Sequence, residues 1–476
     1  MNNILSLVSV FVLLSAMFVT NFNVHLIDAK EVFLSDDIVI GDNETFEIKD
    51  CEYTQTGNII VKDNGTLIIR NATLILTEYD WLRSYNITIE NQGNLTAVGS
   101  LIEGEALMNN IYFFDNAVVK MRNVIVENDV YLNPYNNSLI NISDSTIKTN
   151  FYIRDNSSVH TMNSHFLEYT CPRVYDSSSL WVSDTVLDHK IYSYGSSNVK
   201  VQHSIMDTYM DCHDHSSIII YDSSILNGGI LCDDHVKVEI WNSSSEDITM
   251  YGQSSAKVFN STIGYVGGLA TGLLSHDYSS IEVLNSDISE AESEHFSSIL
   301  LRNSTIGWSL NARDMSAINL LNTTYGVISV EDYAVVNVKW YLTVYTALDG
   351  MILSNATVEV YFAHNDSLAQ SGFSNADGII SFLLPEKVIQ ADETMFLGNY
   401  TIMVTYETES KTENIVLNSS RQMTVVIPEF PSILILPLLA ISTLLAVILQ
   451  RRNTRRREKM YNSNLISSQE GSLEKR

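Results

Sequence analysis

Two short segments concentrate the residues of this chain that could do chemistry. They are DCHDH, which begins at Asp211, and CDDH, which begins at Cys232. One interpretation is that the polar residues of both segments are solvated residues of turns. The other is a site for Zn²⁺ or a different divalent cation, because imidazole and carboxylate groups are its usual ligands. The candidate ligands are His213, His215, Asp233 and His235.

The two segments occupy equivalent positions in a repeat, so their side chains are expected to stack. Cys212 and Cys232 would then lie about 5 Å apart on neighbouring strands. That spacing allows a disulfide, and two buried free thiols are the alternative. Asp214 and Asp234 form a carboxylate pair that could do acid–base chemistry on a glycan. A ladder of turn Asp residues gives the same spacing on nearly every coil, so no catalytic residue is assigned.

The composition excludes one class of partner. The chain has 476 residues and a net charge of −28, yet its last 26 residues carry eight Lys/Arg and three Asp/Glu. The remainder is strongly acidic, which argues against nucleic acid because phosphate recognition needs a basic surface. The acidic balance fits a solvated surface, and no cofactor is assigned; weak binding of a divalent cation is the alternative. Four Cys are too few for a disulfide scaffold.

A repeat of about 21 residues must position these groups. Each unit has an anchor residue, as in the two copies of NSTIG at Asn260 and Asn303. Apolar residues lie four and two positions before it with a mostly polar residue between, which predicts a strand with one buried face. We expect the anchor side chains to stack at an inner corner. The anchors are Asp50, Asn71, Gly99, Asn123, Asp144, Asn163, Asp184, His203, Asp222, Asn242, Asn260, Asn285, Asn303 and Asn322.

A second column, eight residues before each anchor, predicts a second corner because Asp, Asn and Gly tolerate positive φ. Leucine-rich and helical repeat patterns are missing from the units. We therefore predict an all-β fold, a parallel β-helix of about 14 coils over residues 30–337, right-handed by the crossover rule. The turn column comprises Asp42, Asp63, Asn91, Asp115, Asn136, Asp155, Asp176, Gly195, Asp214, Asp234, Gly252, Asp277, His295 and Asp314.

The unit DxSSxVxVxNSxI resembles the repeats of right-handed parallel β-helix proteins of the pectin-lyase-like type, which include many cell-surface proteins. The resemblance covers about Asp42 to Tyr333 and implies the fold. It implies little about activity, because the Arg and Lys residues of lyase-type members are not clustered near DCHDH and CDDH.

The sequons Asn-x-Ser/Thr are of two kinds. Those at Asn71, Asn242, Asn260, Asn303 and Asn322 coincide with anchors, and we interpret them as structural. Others lie outside the anchor column and are better candidates for N-glycosylation. These are Asn43, Asn86, Asn156, Asn355, Asn365 and Asn399.

Residues 338–427 follow a different pattern, with alternating strands and turns that predict a small β-sandwich. The stretches NATVEVYF, SNADGIISF and GNYTIMVTY resemble the transthyretin-like folds of carboxypeptidase regulatory-like and Cna-B-like domains. That resemblance implies a spacer module.

Both ends of the chain carry segments that predict its cellular localisation. Residues 1–29 have the apolar run of a signal peptide, cleaved near Ala29. Phe430 to Leu449 is a run of 20 uncharged residues, so residues 428–450 are expected to include a transmembrane helix. The basic tail, residues 451–476, then lies in the cytoplasm by the positive-inside rule.

The stretch IPEFPS resembles the C-terminal sorting region of archaeal surface proteins of the PEF type. Pro428, Glu429 and Phe430 would then form the recognition tripeptide. Because the tail continues to Arg476, a permanent anchor is favoured over cleavage.

These features together predict a non-catalytic, single-pass protein of the cell surface with its N-terminal ectodomain outside. Its role would be structural, adhesive or glycan-binding, and its partners would be the membrane and extracellular glycans or proteins. Trp181, Tyr192 and Tyr194 could stack on sugars as exposed aromatic residues, and the equal alternative is that they cover a seam of the solenoid. The alternative is a membrane-tethered polysaccharide lyase or glycoside hydrolase built on the β-helix.

Overall fold

A computed structural model describes residues 24–27, 31–77, 84–105, 109–127, 130–167, 169–264, 272–428 and 432–470. The chain divides into two compact units. The first ends at Trp340 and also includes Pro385–Phe396, and the second comprises Tyr341–Leu384 and the residues from Leu397 on. The segment Pro385–Phe396, which the sequence assigns to the second domain, thus groups with the first unit.

The first unit is a parallel β-solenoid of about 14 coils, as predicted from the repeat. Each coil has up to three strands, and every strand pairs in parallel with its equivalent in the next coil. The first position holds five-residue strands. They are Thr45–Lys49, Thr66–Arg70, Asn94–Val98, Val118–Arg122, Leu139–Ser143, Ser158–Met162, Ser179–Ser183, Asn198–Gln202, Ser217–Tyr221, Lys237–Trp241, Ser255–Phe259, Ser280–Leu284, Ser298–Arg302 and Ala317–Leu321.

The second strand position follows the anchor, and the third precedes the turn column. At the second position lie Glu31–Leu34, Glu52–Gln55, Thr73–Leu76, Leu101–Gly104, Ile125–Val126, Thr146–Ile147, His165–Phe166, Val186–Leu187, Ile205–Met206, Ser224–Ile225, Ser244–Ser245 and Thr262–Ile263. At the third position lie Ile38–Ile40, Ile59–Val61, Ile87–Ile89, Asn109–Phe113, Val130–Pro134, Phe151–Ile153, Pro172–Val174, Ile191–Ser193, Met210–Cys212, Ile230–Cys232, Ile248–Met250, Leu273–Ser275 and Val327–Val330. Asp287–Ser293 and Thr305–Ala312 span both positions, and Val24–Ile27 pairs with Thr45–Lys49.

The predicted alternation forms the core of the solenoid. In the strand Ser217–Tyr221, for example, Ile218 and Ile220 are fully buried and the other three residues are half-buried. In-register pairing places Ile218 between Val199 and Val238, so apolar side chains stack coil on coil. The buried methyl groups therefore form continuous columns, which is the favourable arrangement for β-branched side chains.

The anchor residues turn the chain at the first corner. All fourteen have a left-handed backbone, with φ between 46° and 60°. The prediction that their side chains lie inside the corner is wrong, because twelve are exposed and Gly99 and Asn322 are half-buried. The side chains do stack from coil to coil, as Asn242 does on Asp222 at 3.2 Å. A left-handed residue reverses the in–out alternation, so counting parity along the strand places its side chain on the wrong side.

The residue after the anchor, rather than the anchor itself, is the buried one. In most coils it is Ser or Thr, and its hydroxyl bridges neighbouring coils. Ser223 is typical, because its Oγ accepts the N–H of Ser204 at 3.1 Å and donates to the carbonyl of Tyr221 at 2.6 Å. We call this column the serine ladder. Its members are Ser100, Ser145, Ser164, Thr185, Ser204, Ser223, Ser243, Ser261, Ser286, Ser304 and Thr323.

The turn column forms the second corner, as predicted. All fourteen members have a left-handed backbone, with φ between 50° and 70°. Several turn carboxylates accept a backbone N–H from the preceding coil, as Asp214 does from Gly195 at 2.8 Å. The carboxylates therefore satisfy backbone donors at the corner.

The second unit contains a four-stranded antiparallel sheet in the order Leu368–Phe373, Thr357–Phe362, Asn399–Tyr406 and Glu409–Val416. A parallel pair joins Leu342–Leu348 to Arg421–Ile427. The remaining strands near this region are Val335–Leu348, Met351–Ile352, Ile379–Ile389 and Thr394–Phe396. The predicted alternation is present, since Val358, Val360, Ile402 and Val404 are fully buried.

The C-terminal helix spans Ser432–Glu470 and contains Pro437. Its second half carries the basic cluster that begins at Arg451. Within the residues that the structure describes, no helix combines the length and the apolar character needed to cross a membrane. The predicted transmembrane helix is therefore found as a helix but is not confirmed as a membrane span.

Candidate functional site

The outward face of the third strand position carries a concentration of Tyr and Arg. In-register pairing brings together side chains from coils that are 19 to 21 residues apart in sequence. All of them are half-buried. We call this surface the tyrosine–arginine face, and it consists of Tyr135, Tyr152, Arg154, Arg173, Tyr175, Tyr192 and Tyr194.

The rings of this face stack along the solenoid. The centroids of Tyr175 and Tyr194 are 5.2 Å apart with planes 11° from parallel, and Tyr194 and His213 are 5.1 Å apart at 4°. Each ring therefore covers a face of the next ring. Sugar stacking needs a free ring face, so the prediction that Tyr192 and Tyr194 stack on sugars is weakened by this packing.

Two guanidinium groups are held between these rings. Arg154 lies 5.6 Å from the ring centroid of Tyr135 and 5.3 Å from that of Tyr175. Arg173 lies 5.1 Å from the Tyr152 ring and donates to the Tyr152 hydroxyl at 2.7 Å. Burial raises the pKa of Tyr194 and also that of Tyr192. The face thus presents fixed cations and neutral phenols, a composition enriched in protein interfaces.

Trp181 belongs to a different surface, the outward face of the five-residue strands. It is 41% exposed, the ring of His160 meets it edge-on at 5.4 Å, and the Lys200 ammonium lies 4.6 Å from its centroid. Further along this face, Trp241 stacks on Phe259 at 3.9 Å. These aromatic groups are engaged with neighbours in adjacent coils.

The predicted stacking of Cys212 on Cys232 is confirmed. The two residues are register partners and are fully buried. Both are free thiols in the structure, the second of the two arrangements that the sequence allowed. Burial, together with the neighbouring Cys212, raises the pKa of the Cys232 thiol well above its usual value. The Cys232 thiol is therefore a neutral part of the core.

The four predicted metal ligands do not form one coordination set. Nε2 of His213 lies 2.9 Å from Oδ1 of Asp211, and its ring is covered by Tyr194. His215 and His235 stack on each other at 4.8 Å with planes 3° apart. Asp233 accepts the N–H of Asp234 at 2.8 Å. In the described part of the chain, no group of three or more His, Cys, Asp or Glu residues is placed to hold a metal ion.

A second cluster of titratable groups was missed by the sequence analysis. Glu290, Glu292 and Glu294 point outward from one coil, and Arg313 of the next coil lies 3.1 Å from both Glu292 and Glu294. Nδ1 of His276 lies 3.1 Å from Glu294. Burial raises the pKa of Glu292, while Arg313 acts to lower it. With Glu331, which lies 3.5 Å from Arg313, these three carboxylates form the acidic patch.

A thiol–imidazole pair also went unrecognised. Sγ of the buried Cys171 lies 2.8 Å from Nδ1 of His189. Burial raises the pKa of the Cys171 thiol, against the opposing effect of Arg173 and Lys190. A raised pKa favours the thiol over the nucleophilic thiolate, so the pair is not arranged as an activated nucleophile.

The predicted glycosylation residues lie mostly at the surface. Asn43, Asn156, Asn355, Asn365 and Asn399 are exposed. Asn86 is half-buried, and its Oδ1 accepts the N–H of Asn110 at 3.1 Å, which makes it the poorest acceptor of the six.

The predicted sorting motif is only partly visible. Pro428 is exposed, whereas Glu429 and Phe430 lie outside the described residues. Of the predicted signal peptide, only Val24–Ile27 is described, as a strand paired in parallel with Thr45–Lys49.

No family model matches the sequence, and no curated protein matches it. Among solved structures, the TIE protein of Bacillus anthracis is 18% identical over 22% of this chain and 20% of that chain, with a TM-score of 0.16. The shaft pilin SpaA from Lactobacillus rhamnosus GG is 12% identical over 19% of this chain and 50% of that chain, with a TM-score of 0.14. This chain thus spans between a fifth and half of the length of the structures it matches.

Proposed function

We propose that this chain is a non-catalytic structural or adhesive protein of the cell surface. The solenoid is a stiff spacer, and the tyrosine–arginine face is its adhesive surface. At about 4.8 Å per coil, 14 coils extend over about 65 Å. Such a spacer would hold the face at a fixed distance from its attachment point.

The observation that carries this proposal is the structural use of the polar groups at both corners. The serine ladder and the turn carboxylates bond backbone groups of neighbouring coils, as Ser223 and Asp214 do. A catalytic pair would need carboxylates that converge on a substrate. Asp214 is instead committed to a backbone donor, like its equivalents in other coils.

Surface display is supported by the acidic composition and by the exposure of most of the predicted glycosylation residues. We further propose that residues 338–427 form a transthyretin-like sandwich that extends the spacer. Attachment through the C-terminal segment, with the tail in the cytoplasm and a PEF-type signal before it, stays a prediction from the sequence. Protease shaving of intact cells, followed by fractionation of the cleaved fragments, tests this arrangement.

A second candidate function has one observation in its favour, the raised pKa of Glu292 beside two other carboxylates. This combination occurs in general acids of glycoside hydrolases. The alternative is therefore a polysaccharide lyase or glycoside hydrolase acting at the acidic patch.

A paired assay distinguishes the two functions. The full chain is tested on a glycan array and in a reducing-sugar release assay over a panel of neutral and acidic polysaccharides. The structural proposal expects no turnover above that of the Glu292→Gln variant. Turnover that is lost on Glu292→Gln, with folding unchanged, would replace it with the enzymatic function.

A further inference from the structure

One outward column of the third strand position has a self-complementary order of side chains. Seven consecutive coils contribute one residue each, and the strand register connects every neighbouring pair. In order along the solenoid they are Arg173, Tyr192, Asp211, Leu231, Thr249, Leu274 and Glu292.

Leu231 lies at the centre of this column, with three residues on each side. Its side chain is 36% exposed and apolar. Consider a two-fold axis that passes just outside the Leu231 side chain and runs parallel to the strands, perpendicular to the solenoid axis. Rotation by 180° about it places a second copy face to face with the first and reverses the order of the column. Each residue is then matched with the one at the same distance on the other side.

The matched residues are chemically complementary. One step from the centre, the carboxylate of Asp211 meets the hydroxyl donor of Thr249. Two steps away, the ring of Tyr192 meets the side chain of Leu274. Three steps away, the guanidinium of Arg173 meets the carboxylate of Glu292, a pairing that favours short charge-assisted hydrogen bonds.

We propose that a second copy of this chain docks on this face, antiparallel to the first and related to it by a two-fold axis at Leu231. The inference rests on the proposed adhesive role and names its partner. In a two-fold dimer the same patch serves both partners, so it must be self-complementary.

The neighbouring column agrees with this arrangement in most places. About the same axis, Tyr175 meets Glu294, Tyr194 meets His276 and His213 meets Tyr251. The tyrosine–arginine face of one copy thus lies against the acidic patch of the other, except that Arg154 meets Arg313 one step beyond Tyr175 and Glu294. This complementarity of charge orients the encounter.

Besides the pair of Arg154 with Arg313, Asp233 is an unfavourable position. It lies beside Leu231 at the axis, so it meets its own equivalent in the partner, and like charges repel. The dimer is therefore expected to be of moderate affinity, with a Kd on the order of micromolar. Removal of this charge should strengthen the association.

The test uses the full chain, purified in a mild detergent, in sedimentation velocity from about 0.1 to 100 µM. We expect a monomer–dimer equilibrium. Arg173→Glu places two carboxylates opposite each other and should raise the Kd at least about tenfold. Glu292→Arg should do the same. The double variant, Arg173→Glu with Glu292→Arg, reverses the pair and should restore dimerisation.

The matched control is Lys120→Glu, the same charge change on an exposed residue of the five-residue strands. It should leave the Kd unchanged, and Asp233→Asn should lower it. Rescue by the double variant separates contact across the dyad from misfolding, since Arg173 and Glu292 are six coils apart within one chain.

A monomer throughout the concentration range would overturn the dimer, as would failure of the double variant to dimerise while it remains folded. An Arg173-dependent glycan signal from a monomeric chain would also overturn it, and would assign the face to glycans while leaving the adhesive function intact. Saccharide turnover, by contrast, would remove the proposed function itself.

Discussion

The two corners of most coils satisfy the backbone groups of the turn in different ways. Both turn the chain through a left-handed residue, such as Asn242 at the anchor corner or Asp176 at the turn corner. At the anchor corner, the buried hydroxyl of the next residue accepts an N–H from the neighbouring coil. At the turn corner, the buried Ser178 donates to the carbonyls of Tyr175 and Ile153, although its equivalent Ser254 accepts the N–H of Val236 at 3.2 Å.

This difference indicates which corner the sequence is least free to change. A carbonyl has two lone pairs and tolerates the loss of one donor, whereas a buried N–H without an acceptor is costly. The anchor corner should therefore respond more strongly to loss of its hydroxyl. The predictions below test this ranking, from the largest expected effect to the smallest.

Ser223→Ala should destabilise the solenoid by about 2 kcal/mol, because the buried N–H of Ser204 loses its acceptor. Chemical denaturation followed by circular dichroism measures this change. The matched control is Ser224→Ala, which removes a hydroxyl from the adjacent half-buried position and should cost less than about 0.5 kcal/mol. Equal effects at the two positions would contradict the proposed role of the serine ladder.

Asn242→Ala should cost about 1 to 1.5 kcal/mol, since alanine at a φ of 48° is strained and the bonds to Asp222 and Asn260 are lost. Asn242→Gly should recover part of the loss because glycine adopts this backbone freely. Asn198→Ala, at an exposed strand position, is the control. If glycine were no better than alanine, backbone strain would not be the cause.

Ser178→Ala at the turn corner should cost about 1 kcal/mol, less than Ser223→Ala, because only carbonyl acceptors lose a donor. The same denaturation experiment compares the two variants. A loss larger than that of Ser223→Ala would reverse the ranking of the corners.

A smaller effect is expected from His160 as the pH falls. Burial lowers its pKa from the ordinary value of 6.5. The unfolded chain therefore takes up a proton first, and stability decreases as the pH drops below about 6.5. His160→Gln should reduce the loss of stability between pH 7 and pH 5 by less than about 1 kcal/mol, because the ring is only partly buried. An unchanged pH dependence would show that this ring does not contribute.

The strand columns and both corners were predictable because each repeats about fourteen times. A residue type that recurs at the same position of so many coils is required by the structure and is not a chance occurrence. The position of the anchor side chains was not predictable by counting alternation, because a left-handed residue interrupts it. The serine ladder was overlooked for a related reason. Ser is common in turns, and only the backbone geometry of Asn242 and its equivalents shows that the following Ser is buried.

The candidate surfaces were less predictable than the fold. Stacking of Cys212 on Cys232 followed from the register of the repeat. The separation of His213 from the His215–His235 stack did not, because it depends on side-chain rotation. The proposed pairing of Arg173 with Glu292 across the dimer could not be predicted from a local motif, since it depends on the order of residues along one whole outward column.

The central claim is that each coil adds one strand spacing along a single axis, and electron–electron distance measurements test it most directly. One spin label is placed at Lys120, and the second is placed on the same outward column at Glu239, Lys257 or Glu282. These three positions are six, seven and eight coils from Lys120. The account predicts mean distances of about 29, 34 and 38 Å, rising by one strand spacing each time. Distances that fail to increase in this order would contradict the solenoid.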